Sequence, residues 1–143
     1  MKILVIEDTL KHRDDAKNFF AGQTDVVAIY SSDFGGASRF LEKGKVDGVI
    51  SDIYFPYQND SNWSQPEAVG VYVMMLCKKL EIPCVLNTDG NHHGPRLQWI
   101  HSMLGRLGLP AMVDTSQEKA ETKNWQRALD ALRAIIGNSP QPD

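Results

Sequence analysis

Short apolar runs alternate with longer amphipathic segments along this chain, and this alternation limits the fold more than any other feature. Five runs are interpreted as strands, at residues 2–6, 26–30, 46–55, 82–88 and 110–115. Most are continuously apolar, as strands covered on both faces of a sheet are. Five repeats of strand and helix predict an α/β fold, (βα)5, in which a five-stranded parallel sheet carries helices on both faces.

Apolar residues recur at helical spacing between and after these runs. They predict helices over residues 9–21, 33–43, 66–80, 95–107 and 119–136, with capping residues or glycines near several ends. Residues 57–65 are polar, lack periodicity and are interpreted as a loop. The sequence therefore predicts one domain over residues 1–137 and a disordered tail over residues 138–143.

Composition excludes several classes of function. The chain has 143 residues, of which 42% are hydrophobic and 23% charged, and its net charge is -3. Without a basic block, direct binding of nucleic acid is not expected. No apolar run approaches the roughly 18 residues of a membrane span. The two cysteines, Cys77 and Cys84, form no CxxC motif, so we expect a reducing, cytoplasmic environment.

Asp52 is an acid near the end of the apolar third run, where burial of an unpaired charge would cost several kcal/mol. In parallel α/β sheets the functional crevice lies beyond the carboxyl ends of the strands. The first run ends in Glu7 and Asp8, so three carboxylates are expected at one edge. Mg²⁺ suits a few carboxylates together with water and phosphate. The alternative is that these acids are solvated caps of the following helices.

Three motifs, taken together, resemble the receiver domain of two-component response regulators. They are "ILVIEDT" at residues 3–9, "DGVISDIYFP" at 47–56 and "PCVLNTD" at 83–89. The separation from Asp8 to Asp52, 52 − 8 = 44 residues, suits a path of strand, helix, strand, helix and strand. The resemblance covers nearly the whole chain in the order of its elements, and it implies a flavodoxin-like sheet.

The resemblance implies a role for several residues at this edge. Asp52 would be the phosphoacceptor, and its carboxylate would attack the phosphorus of a phosphohistidine on a partner kinase. Glu7, Asp8, Asp52 and the backbone carbonyl of Tyr54 would hold Mg²⁺. Thr88 would donate its hydroxyl to a phosphoryl oxygen.

The match to the family is weaker after the fifth strand and after Thr88. The family places a lysine at the end of the fifth strand, where this chain has Asp114 and Thr115; Lys119 would have to reach back from the next segment. Asp89 follows Thr88 where receivers usually have a small residue, and an acid there would narrow the phosphoryl site or repel the phosphoryl group. The loop at residues 57–67 is longer than expected and would act as a lid, a docking surface or an ordinary variable loop.

The leading hypothesis is a stand-alone receiver that is phosphorylated by a sensor histidine kinase or a phosphotransfer protein and then acts on a downstream protein, with a homodimer as a further option. Such a protein is not an enzyme beyond assisting its own phosphorylation and dephosphorylation. The alternative is a pseudo-receiver, an interaction module that works without phosphorylation. A Mg²⁺-dependent phosphohydrolase is a third reading, but enzymes with an aspartyl nucleophile usually carry DxD on the first strand, whereas this chain has adjacent Glu7 and Asp8.

Overall fold

Successive side chains of the first strand point into two different layers of the core. In a computed structural model that describes residues 1–60, 62–90, 97–118 and 122–138, β1 spans Lys2–Ile6. Leu4 and Ile6 pack in one buried cluster, while Ile3 and Val5 pack in the other. A strand buried on both faces explains why this run is continuously apolar rather than alternating.

The other elements follow β1 in chain order. They are α1 (Leu10–Ala21), β2 (Val27–Ser31), α2 (Phe34–Glu42), β3 (Gly48–Ser51), β4 (Phe55–Pro56), β5 (Pro66–Glu67), α3 (Val69–Lys79), β6 (Cys84–Thr88), α4 (Gln98–Arg106), β7 (Val113–Asp114) and α5 (Trp125–Asn138).

Five of the strands form one parallel sheet in the order β2-β1-β3-β6-β7. Helices α1 and α5 contribute to the buried cluster on one face, and α2, α3 and α4 contribute to the cluster on the other. This is the flavodoxin-like strand order, with the switch point between β1 and β3. The predicted (βα)5 sheet with helices on both faces is confirmed.

Several predicted boundaries differ from the observed ones. The third strand ends at Ser51 rather than at residue 55, and Phe55–Pro56 instead pairs antiparallel with Pro66–Glu67. This pairing takes Pro66 and Glu67 out of the predicted helix, and α3 begins at Val69. The last helix begins at Trp125 rather than at residue 119, and it extends to Asn138, one residue into the predicted tail. Residues 139–143 of that tail lie outside the described residues.

Sheet register decides which side chains meet at the carboxyl edge. Ile6 pairs with Ser51, so Glu7 and Asp52, which follow them, lie side by side at the ends of adjacent strands. Thr88 pairs with Asp114 at the same edge. Within the described ranges, no helix is long and apolar enough to cross a membrane.

Candidate functional site

Asp52 lies at the carboxyl edge of the sheet, one residue beyond β3. Its backbone N–H donates to the carbonyl of Ile6 at 2.9 Å, which extends the pairing of β1 and β3 by one residue. The backbone N–H of Ile53 donates to Asp52 Oδ1 at 2.7 Å and orients the carboxylate. The Asp52 side chain is 13% exposed, so it lies at a rim and is not fully buried. Asp52 thus lies at the carboxyl edge of the sheet, where the sequence predicts it.

Gly70 in the first turn of α3 packs directly against the backbone that carries Asp52. Its N–H donates to the carbonyl of Ile53 at 2.9 Å. A Cβ at this position would lie 2.2 Å from the Asp52 carbonyl oxygen and 2.7 Å from Ile53 Cα. Only glycine allows α3 to approach this closely, so the start of α3 packs directly against the backbone of Asp52 and Ile53.

Lys123 supplies a buried cation at this edge. Its ammonium lies 3.0 Å from Asp52 Oδ1 and also donates to Glu7 Oε2. The Lys123 side chain is 2% exposed and that of Glu7 is fully buried. A buried lysine shared by two carboxylates satisfies charges that would each be costly alone. No pattern in the sequence distinguishes this residue, and its position supplies the cation that the end of the fifth strand lacks.

The segment after β7 brings Lys123 to the site. The Thr115 hydroxyl donates to the carbonyl of Thr122 at 2.9 Å, which fixes the residue immediately before Lys123. The Thr115 backbone N–H donates to the carbonyl of Thr88 at 3.0 Å, so the same residue is also tied to the sheet. Lys123 therefore reaches Asp52 from the segment just before α5, and not from the end of β7.

Burial and neighbouring charges shift three pKa values here. Burial raises the pKa of Glu7 to about 7, a shift that Lys123 opposes and Asp52 reinforces. Burial, followed by the charge of Asp52, raises the pKa of Asp8. Burial disfavours the charged form of Lys123, but attraction to Asp52 and Glu7 outweighs burial and raises its pKa. The lysine therefore stays protonated at neutral pH.

Glu7, Asp8 and Asp52 form the carboxylate cluster predicted from the sequence. One oxygen from each lies within 4.8 Å of the others. Three hard oxygen donors at this separation fit a divalent cation such as Mg²⁺, which prefers carboxylates with water completing its coordination. Asp8 is half-buried, so the cluster reaches the surface on one side.

A cavity of about 210 Å³ opens beside Asp52. It is lined by Asp8, Thr9, His12, Asp52, Tyr54, Pro66, Thr88, Asp89 and Lys123. Thr88 is buried, and its hydroxyl accepts a hydrogen bond from the Gly90 N–H at 3.0 Å. The structure therefore brings Asp8, Asp52, Tyr54 and Thr88 to one cavity, with Glu7 bound to the lysine at its wall.

His12 and Asp89 form a second charged pair at this cavity. His12 Nε2 lies 2.9 Å from Asp89 Oδ2, and the two residues are 77 positions apart in sequence. No local pattern predicts a contact between a helix and a loop at this separation, so His12 was not a candidate from the sequence. Lys119 lies outside the described residues.

The loop at residues 57–67 is attached to the start of α2. The Gly35 N–H donates to the Tyr57 carbonyl at 3.0 Å, and the Asn59 N–H donates to Asp33 Oδ2 at 3.0 Å. The ring of Tyr57 stacks on that of Phe34, with centroids 4.9 Å apart. Of the loop residues that the structure describes, Pro66, near its end, is the one that lines the cavity beside Asp52.

Comparison of the fold with solved structures gives several similar chains. The RcsB response regulator of Salmonella typhimurium matches with a TM-score of 0.64 and 17% identity, over 99% of this chain and 62% of that chain. The unphosphorylated HemR receiver domain of Leptospira biflexa matches with a TM-score of 0.63 and 17% identity, over 99% of this chain and 98% of that chain. This chain has the receiver-domain fold. No protein-family model and no curated protein sequence matches it.

The receiver fold confirms the resemblance that the three motifs indicated. The match to HemR spans almost the whole of both chains, whereas this chain covers under two thirds of RcsB. At 17% identity the comparison establishes the fold, and the function must be argued from the residues at the carboxyl edge.

Proposed function

We propose that this chain accepts a phosphoryl group on Asp52 from a phosphohistidine and signals through contact with another protein. The observation that carries the proposal is the buried Lys123 ammonium, which lies 3.0 Å from Asp52 Oδ1 beside the cluster of Glu7 and Asp8. A carboxylate nucleophile at the mouth of a cavity, with one fixed cation and a set of metal ligands, suits phosphoryl transfer better than other chemistry.

The orientation of the Asp52 carboxylate determines which of its oxygens attacks the phosphorus. The two described contacts of its carboxylate, from Ile53 N–H and Lys123, both fall on Oδ1. Oδ2 is therefore the oxygen proposed to attack the phosphorus. The P–N bond to the donor imidazole breaks as the new O–P bond forms, and the leaving imidazole takes a proton from solvent. The product is an aspartyl phosphate.

Lys123 and Thr88 stabilise charge on the incoming group in this proposal. The Lys123 ammonium is held in place by Glu7, so it needs little reorganisation to contact a phosphoryl oxygen. The Thr88 hydroxyl lines the same cavity. It accepts a hydrogen bond from the Gly90 N–H, and its own O–H can at the same time donate to a phosphoryl oxygen. Glu7, Asp8 and Asp52 with the Tyr54 carbonyl would hold Mg²⁺, which neutralises phosphoryl charge when bound.

The partners follow from the chemistry of the donor. A phosphohistidine donor implies a sensor histidine kinase or a phosphotransfer protein, and the output is contact with a downstream protein or a second copy of the chain. The chain is proposed to act in the cytoplasm, which two buried free thiols, Cys77 and Cys84, support. It catalyses only its own phosphorylation and dephosphorylation.

The alternative is a phosphorylation-independent pseudo-receiver. The absence of a lysine at the end of the fifth strand would favour that alternative, but Lys123 supplies a cation at Asp52 by another route. The acid Asp89 next to Thr88 still favours the pseudo-receiver.

Intact-mass measurement after incubation with acetyl phosphate and Mg²⁺ tests the proposal. We expect one phosphoryl adduct on the wild-type chain, none without Mg²⁺ and none on Asp52→Asn. Asp60→Asn is a matched control in an exposed loop and should form the adduct at the wild-type rate. No adduct on the folded wild-type chain at saturating donor would favour the pseudo-receiver, and steady phosphate release from unrelated monoesters would favour a hydrolase.

A further inference from the structure

The His12–Asp89 pair forms part of the wall of the cavity beside Asp52, and neither residue has a role in the chemistry described above. The two side chains are only 11% and 15% exposed. His12 lies in the first turn of α1, and Asp89 directly follows β6. The contact therefore joins two separate elements across the cavity that would receive the phosphoryl group.

Asp89 is electrostatically unfavourable for this cavity. Asp8 and Asp52 already line it, and Lys123 is already shared between Asp52 and Glu7. A phosphoryl donor brings further negative charge, and a like charge within about 5 Å opposes its approach by an amount that grows as the dielectric falls. A free carboxylate at position 89 would therefore slow phosphoryl acceptance.

The backbone around Asp89 leaves little freedom to move this residue away. Gly90 has a φ of 64°, and its N–H donates to the Thr88 hydroxyl at 3.0 Å. A Cβ at Gly90 would lie 2.4 Å from Ser116 Cβ, so the turn is also closely packed. With residues 88 and 90 fixed, the direction of the Asp89 side chain is set by its own hydrogen-bond partner.

His12 is that partner. A carboxylate only accepts hydrogen bonds, so the imidazole donates from Nε2 to Asp89 Oδ2 at 2.9 Å. Nδ1 is buried and has no hydrogen-bond partner within the described part of the chain, so the contact with Asp89 is the one that orients the ring there. The hydrogen bond holds the Asp89 carboxylate against α1.

We propose that His12 is a positioning residue that holds the Asp89 carboxylate at the α1 wall of the cavity and so keeps the phosphoryl site open to anionic donors. This inference rests on the proposed phosphorylation of Asp52. Asp89 is then a latent inhibitory group, and its effect appears when His12 no longer binds it. Loss of the pair therefore makes the rate of phosphorylation depend more strongly on the charge of the donor.

The test compares rates of adduct formation at Asp52 in four variants at pH 7.5 with Mg²⁺. His12→Leu removes the donor at similar volume, and we expect it to slow phosphorylation by acetyl phosphate about tenfold, because the released Asp89 carboxylate repels the anionic donor. Asp89→Asn removes the charge and should be at least as fast as wild type. The double variant His12→Leu/Asp89→Asn should match Asp89→Asn alone, and His12→Gln, which retains a donor, should stay within about threefold of wild type.

The charge of the donor separates positioning from a structural role. Acetyl phosphate is a dianion at this pH and phosphoramidate is a monoanion, so His12→Leu should slow the first donor several-fold more than the second. His101→Leu removes the other described histidine–aspartate contact, to Asp114 at 3.3 Å on the surface, and should leave both rates unchanged. Thermal denaturation of each variant confirms that it is folded.

The outcomes separate the positioning role of His12 from the phosphorylation of Asp52. Equal slowing with both donors, or slowing by His12→Leu that Asp89→Asn does not relieve, would overturn the positioning role while leaving phosphorylation of Asp52 intact. A wild-type chain that forms no adduct with either donor would instead refute the proposed function, and the role of His12 with it.

Discussion

Removal of the Lys123 ammonium should destabilise the protein more than most substitutions of a lysine. In Lys123→Met the aliphatic part of the side chain is retained, but Glu7 and Asp52 lose the cation between them. Breaking a buried ion pair by removing one partner costs about 3–5 kcal/mol, because the remaining charge stays buried and unpaired. We expect a loss of that size in the free energy of unfolding at pH 8 without added metal.

The loss should depend on pH in a defined direction. Lys123 lowers the pKa of Glu7, which burial raises to about 7, so Lys123→Met raises that pKa further. A folded-state pKa above the unfolded value means that the folded state binds the proton more tightly, so stability falls as pH rises above the unfolded value of 4.5. The variant should therefore be closer to wild type at pH 5.5 than at pH 8, and Mg²⁺ should restore part of the loss at pH 8.

Urea denaturation followed by circular dichroism and tryptophan fluorescence measures these free energies. Lys17→Met is the matched control, because Lys17 is half-exposed and lies 4.0 Å from Asp14 on the surface of α1. It should change stability by less than about 0.5 kcal/mol. A loss below about 1 kcal/mol for Lys123→Met at pH 8, or a loss that does not shrink at low pH, would refute the buried arrangement of Lys123.

Three further predictions concern the same edge of the sheet. Apparent Mg²⁺ affinity, measured by isothermal titration calorimetry, should rise about tenfold per pH unit below pH 7 and level off above it, because the cation displaces a proton from Glu7, whose pKa is about 7. Thr115→Val removes the hydroxyl that donates to Thr122, so it should cost about 1–2 kcal/mol in urea denaturation and slow phosphorylation by acetyl phosphate. Gly70→Ala inserts a Cβ against the Asp52 backbone and should cost about 1–3 kcal/mol and slow adduct formation as well.

Controls and contrary results are specific to each of these. Glu7→Gln should remove the pH dependence of Mg²⁺ binding near pH 7, and an unchanged profile would assign the proton to another group. Thr115→Ser keeps the hydroxyl and should retain the wild-type rate. Gly105→Ala, where a Cβ meets nothing within 4 Å, should leave phosphorylation unchanged. A Gly70→Ala variant as stable as wild type would contradict the close approach of α3.

The position of Asp52 was predictable because it depends on local pattern and on one rule of topology. An apolar run that ends in an acid places the acid at the carboxyl edge, and parallel strands bring their carboxyl edges together. Glu7 and Asp8 follow by the same reasoning, and the structure places all three carboxylates within reach of one cation. The strand order of the sheet follows from the alternation of elements combined with the family resemblance.

Lys123 was not predictable in the same way. It lies outside any strand, between β7 and α5, and the Thr115–Thr122 hydrogen bond that fixes the residue before it joins positions seven apart in an irregular segment. The available signal was a second lysine in the segment after the fifth strand, but the predicted helix over residues 119–136 included Lys123, and nothing local distinguishes it from Lys119. The pairing of Phe55–Pro56 with Pro66–Glu67 was missed for the same physical reason, because it joins the two ends of a long polar loop.

Reductive trapping of the phosphorylated chain tests the central claim, phosphorylation of Asp52, most directly. Borohydride converts an aspartyl phosphate to homoserine, and tandem mass spectrometry of the peptides then identifies the position. After incubation with acetyl phosphate and Mg²⁺, we predict homoserine at position 52 in the wild-type chain and none when Mg²⁺ is withheld. Homoserine at another aspartate, or none at all in a folded chain at saturating donor, would contradict the account.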